Sequence, residues 1–221
     1  MKVGIVGGTG PAGSGLAVRL AAAGHDVLLG SRDPDKAAQR VAELHAKWDD
    51  RVATMRGVAN ADAARSELVV LATVADSAVA TAVDLASDLD GRVVVCMANL
   101  LTRVERGFAA VLPEHGSVAA NLQQAVPGAR VVGAFQNLPA RALAELDQAL
   151  EADVVVCGDD ADAVACVVDL TATVDGLRPF DGGPLVNAAA IEALTAVLLT
   201  VNRARKGEHG IRLVDLRAKL D

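Results

Sequence analysis

No tyrosine occurs anywhere in this chain. That absence excludes the tyrosine–lysine pair with which many short-chain dehydrogenases protonate a carbonyl. The three cysteines, Cys96, Cys157 and Cys166, form no C-x-x-C pair and lie in apolar runs. They read as reduced core residues of a cytoplasmic protein. The four histidines are scattered and none has a ligand spacing, so no metal is expected. No Ser-His-Asp order or Cys-His pair points to a covalent nucleophile. Positive charge is in deficit: the formal net charge is -7 and the pI about 5.1. This argues against nucleic acid as a partner. Membrane association is not expected either, because the most apolar late stretch, Ala188 to Val201, is short for a span and contains Glu192. No leader is expected, since the first apolar strand begins at residue 2.

The opening residues hold what is present in strength. Lys2-Val3-Gly4-Ile5-Val6 reads as a short strand. It runs into Gly7-Gly8-Thr9-Gly10-Pro11-Ala12-Gly13, with G-x-G-x-x-G at Gly8, Gly10 and Gly13. A helical pattern with Leu16 and Leu20 follows, then a second strand, Asp26 to Gly30. A glycine fingerprint between strand and helix, opening a strand–helix–strand unit, is the mark of a dinucleotide site. Gly8 is expected to make the tight turn, Gly10 to admit the pyrophosphate, and Gly13 to let helix and strand pack closely. The helix beginning near Pro11 turns its free N–H groups and positive dipole end toward the phosphates.

The end of the second strand selects the dinucleotide. NAD sites place a carboxylate there for the ribose hydroxyls. This chain has Ser31 and Arg32 instead, with Lys36 one helical turn on. A hydroxyl, a guanidinium and an ammonium suit a 2′-phosphate, so the predicted cofactor is NADP. Asp33 precedes Pro34 and reads as the cap of the next helix.

Downstream, the chain alternates strand and helix. Pro34 to Trp48 is amphipathic, with Ala37, Val41, Leu44 and Trp48 on one face. Further strands are predicted at 52–58, 68–73, 92–97 and 130–135, with a helix over 77–89. The pattern gives an α/β fold, a Rossmann-type doubly wound parallel sheet in order 3-2-1-4-5-6. Residues 1–139 are expected to form this NADP-binding domain. Residues 140–221 are expected to form a small C-terminal α/β part that closes the substrate cleft. Its predicted pieces are a helix over 140–152, a strand over 153–158, a helix capped by Asp160, a short strand or loop at 178–185, and a long helix from Asn187 to about Arg205. That last helix could bury itself within the subunit or against a partner; a homodimer is expected.

A cofactor site without an evident general acid carries information. A carbonyl reductase must protonate an oxygen. Hydride transfer between two organic rings needs only that they be stacked and shielded from water. His25, His45, His115 and His209 read as structural or solvated rather than catalytic. The second ring is expected beyond the carboxyl ends of strands four to six. Those segments are Thr73-Val74-Ala75, Ala98-Asn99-Leu100 and Gln136-Asn137-Leu138-Pro139, with 181–185 able to close over them.

The chain resembles the NADPH-dependent reductases of coenzyme F420, the F420-dependent NADP oxidoreductase family. The resemblance rests on Gly7-Gly8-Thr9-Gly10 with Gly13 and Gly15, and on Gly30-Ser31-Arg32 with Lys36. Later it rests on 156–160, 175–179 and Gly183-Pro184-Leu185 with Asn187, Glu192 and Leu194-Thr195. It implies NADP as cofactor, coenzyme F420 as the second small-molecule substrate, and hydride exchange between them with no catalytic acid or base. It also implies that Gly8, Thr9, Gly10, Pro11, Ala12 and Gly13 hold the pyrophosphate and that Ser31, Arg32 and Lys36 hold the 2′-phosphate. Thr73, Asn99 and Ala140 then lie along the nicotinamide half, and Thr73, Asn99, Gln136 and Pro139 place the rings. The chain departs from the family pattern at Thr73-Val74, at 97–100 and at Gln136, all in the expected second-substrate pocket. Two other readings stay open on sequence. One is an NADPH-dependent reductase of a small imine or ketone, and the other is a non-catalytic NADP-binding sensor.

Overall fold

A computed structural model describes residues 1–217. The strand–helix alternation forms as expected. Strand β1 (Lys2–Val6) leads into α1 (Pro11–Ala22), β2 (Asp26–Ser31), α2 (Pro34–Trp48) and β3 (Met55–Ala59). Then come α3 (Asn60–Ala64), β4 (Leu68–Leu71), α4 (Ala75–Asp84), α5 (Ala86–Leu89) and β5 (Val93–Cys96). A hairpin of β6 (Leu101–Val104) and β7 (Gly107–Ala110) precedes α6 (Val118–Ala125) and β8 (Arg130–Gly133). The later elements are α7 (Ala140–Leu143), β9 (Ala152–Gly158), α8 (Ala161–Ala172), β10 (Leu177–Asp181) and α9 (Ala188–Arg205).

Eight strands make one sheet in the order β3-β2-β1-β4-β5-β8-β9-β10. The first six follow the expected order and are parallel. Strand β9 then joins β8 antiparallel, and β10 runs parallel to β9. The sheet thus continues across residues 139 and 140.

Alternation along the central strands divides two cores. Val3, Ile5, Leu68, Val70, Val93 and Val95 pack with Leu16 and Leu20 of α1 and Leu44 and Trp48 of α2. Val6, Val69, Leu71, Val94 and Cys96 pack on the other face with Ala78 and Ala82 of α4 and Leu122 of α6. Strands covered on both faces are therefore apolar at every position, which is why they read as continuous runs. Each fully buried Val or Leu contributes about 1.5–3 kcal/mol.

Caps fall where the sequence placed them. The Asp33 carboxylate accepts from the amides of Asp35 and Lys36, with Pro34 in the first turn. The Asp160 carboxylate accepts from the amide of Ala163.

Three expectations are corrected. The helix over 140–152 is only α7, four residues long. Buried Arg19 of α1 donates to the carbonyls of Ala142, Leu143, Glu145 and Gln148 at 2.5–3.0 Å. The guanidinium gathers these carbonyls along a chain of turns, in which those of Ala142 and Glu145 also accept the amides of Glu145 and Gln148. The strand at 130–135 ends at Gly133, because Phe135 adopts a φ of 68°. The apolar run at 188–201 is not short: Leu185–Arg205 is helical, and its mean hydropathy of 1.6 passes for a membrane span by length and composition. In this fold its Ala188, Glu192, Thr195, Ala196 and Leu198 are buried against the rest of the protein.

His25 joins the nucleotide-binding half to α8. Its Nε2 lies 2.8 Å from the Thr173 hydroxyl, which itself donates to the Leu170 carbonyl. Nε2 must then donate, and buried Nδ1 has no partner. Burial, and secondarily the N-terminal ammonium, lower the His25 pKa from its ordinary value. The folded state therefore resists protonation, and stability is lost as pH falls below about 6.5 through the folded pKa. Melting temperature should drop between pH 7 and roughly 5, and His25→Gln should flatten that dependence. An unchanged slope in the variant would show that His25 is not its source.

Candidate active site

The site is built on the turn after β1. Gly7, with φ of 68°, makes the left-handed turn, one residue earlier than expected. Gly8 serves close packing instead: a Cβ there would lie 2.6 Å from Leu29 Cδ1 and 2.8 Å from the Ile5 carbonyl oxygen. A Cβ on Gly13 would lie 2.8 Å from both Gly8 Cα and Ala72 Cβ, so helix and loop meet there as expected. Gly10 is different. Its backbone is extended and a Cβ would meet nothing within 4 Å. This backbone borders open space where a ligand can approach it. The first-turn amides of α1 beside it lack helical partners, as at any helix start, and no acidic residue occupies that turn.

Around this loop lies a cleft of about 670 Å³. Thr9, Gly10, Ser31, Arg32, Lys36 and Thr73 all line it. It continues past Gly10, Ala72, Thr73 and Val74 into a second recess of about 270 Å³ that also holds Pro11, Ala12, Ala98 and Asn99. The two share residues and form one elongated groove along the carboxyl ends of β1 and β4, with space enough for a dinucleotide. At its outer end Asp33 faces the start of α2, and its contact with the Lys36 ammonium is long, at 3.9 Å. Arg32 is exposed and, among the described residues, makes no ion pair. The Ser31 hydroxyl accepts the Asp33 amide at 3.2 Å.

The inner end has a polar floor with unmet hydrogen bonds. Thr73 Oγ1 and Asn99 Oδ1, both in the lining, are buried without partners, and so are both amide atoms of Gln136, which lines neither part of the groove and packs beside Gly133. Gln136 is only 4% exposed. Its own carbonyl is held by Asn99 Nδ2 at 3.2 Å and by the Thr195 hydroxyl of α9 at 3.0 Å. Buried polar groups left unpaired are costly and rare, so their gathering here fits a ligand with polar edges. Residues lining the inner recess carry no titratable side chain. None of the four histidines lines either part of the groove. His45 holds the Val52 carbonyl, and His209 holds Asn202. Burial pushes the Cys96 thiol up to about 12 and the Cys157 thiol up to about 11, so neither supplies a thiolate.

Pro139 and Ala140 fall elsewhere. They line a separate depression of about 1040 Å³ with Arg141, Leu199, Asn202 and Lys206. Two contributors escaped the sequence reading. Asn60, at the start of α3, accepts the Gly7 amide at 3.0 Å and also lines the groove. A lone asparagine after a weak strand gave no signal. Glu192 of α9 accepts from the amides of Val118 and Ala119, at 2.8 and 3.1 Å. Burial raises its pKa and those two bonds pull it down. It caps α6 from 74 residues away, which local pattern cannot reveal.

Fold and groove together define the class, a Rossmann-type dinucleotide-binding oxidoreductase. A model of the family described as NADP oxidoreductase, coenzyme F420-dependent, matches residues 2–100. The F420-dependent NADP reductase of Methanocaldococcus jannaschii is 36% identical over 222 residues, covering 98% of this chain and 99% of that one. The same-named protein of Methanothermobacter marburgensis is 34% identical over 225 residues, with 98% and 99% covered. A crystal structure assigned to an F420-dependent NADP-reductase of Arthrobacter sp. FB24 superposes with a TM-score of 0.80 at 28% identity, covering 96% of this chain and all of that one. The chain belongs to the F420-dependent NADP oxidoreductase family.

Arg32→Ala should weaken NADPH binding by about ten- to a hundredfold and leave NADH nearly unchanged. Equilibrium titration with both dinucleotides checks this, and equal affinities in the unaltered protein would refute the 2′-phosphate role. Glu192→Ala leaves two buried amides unpaired and should cost on the order of 2 kcal/mol in denaturant unfolding, with Glu192→Gln intermediate.

Proposed function

We propose that this protein transfers a hydride between NADP(H) and coenzyme F420. The observation that carries the reading is the inner groove: its polar floor has unmet hydrogen bonds, its lining has no titratable side chain, and it adjoins a phosphate-binding loop. Membership of the family and the names of its relatives point the same way.

In this reading each residue has a positional task. Thr9, Gly10, Pro11, Ala12 and the amide of Gly13 hold the pyrophosphate, while Gly8 keeps the loop close to β1. Ser31, Arg32 and Lys36 hold the 2′-phosphate. Thr73 and Asn99 offer hydrogen bonds to the polar edges of the rings, Gln136 positions Asn99 through its carbonyl, and Met97 and Ala98 give the apolar surface beneath the rings. Pro139 and Ala140, on the separate depression, take no part in placing the rings. The nicotinamide supplies hydride chemistry from its C4, and C5 of the deazaflavin takes it. The protein aligns the rings and excludes water, and its rate enhancement comes from placement.

Residues 140–217 act as the smaller part closing this groove, because Thr195 and Glu192 of α9 grip Gln136 and α6. A homodimer is proposed through α9 and the turn that precedes it, where Val197 and Val186 remain 56% and 68% exposed. The net charge of -7 and the three unpaired cysteines support a cytoplasmic protein without nucleic-acid partners.

Mixing the protein with F420 and NADPH deuterated at C4 tests the proposal. The visible absorbance of the deazaflavin should bleach and the label should appear at its C5. Replacing each histidine singly with Gln should change turnover by less than about tenfold. Ala98→Phe should fill the stacking space and lower turnover by at least about a hundredfold. Label lost to solvent, or one histidine whose loss abolishes turnover while both substrates still bind, would overturn direct transfer.

A further inference from the structure

Surface cations in this acidic chain are mostly committed. Among the described residues, Lys47, Arg51, Arg56 and Arg65 each face a carboxylate across 3.4 Å or less. Arg19 and Arg92 are taken up by backbone carbonyls. Away from Arg32 and the N-terminal strand, the cations without a carboxylate or carbonyl partner among the described residues are Arg103, Arg106, Arg203, Arg205 and Lys206. All five sit on two elements, the β6–β7 hairpin and the end of α9.

Those two elements touch. The Phe108 amide donates to the Thr200 hydroxyl of α9 at 3.1 Å. Gly107 lies so close that a Cβ would come within 2.4 Å of the same oxygen. Arg103 pairs with Phe108 across the hairpin and rests its guanidinium 5.9 Å from that ring. Arg203 is one helical turn beyond Thr200 and shares its face. Arg103 and Arg203 are therefore presented from adjoining surfaces, with Arg106 in the turn between β6 and β7.

Both elements are also tied to the inner recess, because Asn99 and Thr195 hold the same Gln136 carbonyl. The hairpin starts two residues after Asn99, and Thr195 of α9 holds the Gln136 carbonyl. Each element limits how far its cation stands from these two residues. Asn99 to Arg103 is four residues of extended chain, about 13 Å. Thr195 to Arg203 is eight residues of helix, about 12 Å. Arg103 and Arg203 therefore stand within about 13 Å, along the chain, of Asn99 and Thr195.

We infer that Arg103, Arg106 and Arg203 bind the anionic tail of the deazaflavin substrate, its phosphodiester and glutamyl carboxylates, outside the ring pocket. This rests on F420 being the second substrate. In that molecule a ribityl chain separates the ring from the phosphodiester and an oligoglutamate beyond it. Arginine is suited to both kinds of anion. Three solvent-exposed charge contacts together are worth about tenfold in affinity at low salt and fade as salt rises.

The test compares F420 with the tail-less deazaflavin riboside, which has the ring and ribityl chain but no phosphate. Affinity is read from deazaflavin fluorescence, independently of turnover. The triple variant Arg103→Ala, Arg106→Ala, Arg203→Ala should weaken F420 about tenfold, leave the riboside and NADPH unchanged, and leave kcat with saturating F420 intact. The corresponding triple lysine variant should recover most of the loss. In the unaltered protein, added salt should weaken F420 but not the riboside. Equal losses for F420 and riboside, no loss for either, or a loss transferred to NADPH would overturn the inference. If the unaltered protein binds neither deazaflavin, the proposed function falls and this inference with it. If it binds both alike and the variants change nothing, only this inference falls.

Discussion

The site depends on one constraint in the sheet. Strand β1 is paired on both sides, with β2 on one and β4 on the other. The chain leaves β1 toward α1 on one face and leaves β4 toward α4 on the other. No helix or loop can cover the gap where these paths part, so a crevice opens at the carboxyl ends of the two strands. Everything chemical in the protein is arranged along that crevice. The glycine turn narrows its floor, Asn60 fixes the turn by a single amide, and the helix start of α1 gives it an electropositive lip.

The C-terminal residues act on this crevice from outside. Helix α9 packs against β7 and α6 and presents two oxygens with different tasks. Glu192 ends the unmet amides of α6, and Thr195 fixes the carbonyl of Gln136. The Gln136 backbone is thereby held while its side-chain amide stays unpaired. A carbonyl held from two sides fixes the backbone beside the inner recess before a ligand arrives, which lowers the ordering cost of binding.

The parts that were legible in the sequence are those set by short-range chemistry. Continuous apolar runs gave the strands, because burial on both faces leaves no room for alternation. Asp33-Pro34 and Asp160 gave helix starts. Ser31-Arg32 gave the phosphate end of the groove. What escaped was decided at a distance. Arg19 gathers four carbonyls that lie more than a hundred residues away, so a helical pattern over 140–152 yields a chain of turns after Leu143. The β6–β7 hairpin has four-residue strands, largely exposed, with no alternation to betray them. The turn fell at Gly7 rather than Gly8, because in a run of glycines only the packing of Ile5 and Leu29 decides which one must be left-handed.

The contact between Arg19 and residues 142–148 bears on how such proteins diverge. The guanidinium reads backbone carbonyls and ignores side-chain identity. Substitutions along that stretch can accumulate without disturbing its path, whereas an inserted or deleted residue would move a carbonyl out of reach and strand a buried cation. Drift in sequence is permitted there and drift in length is not. The hairpin beside α9 has the opposite character, since its tip is exposed and its strands pair only with each other. Variation in chain length within this fold should therefore collect at the exposed turn, 104–106, while 142–148 keeps its length.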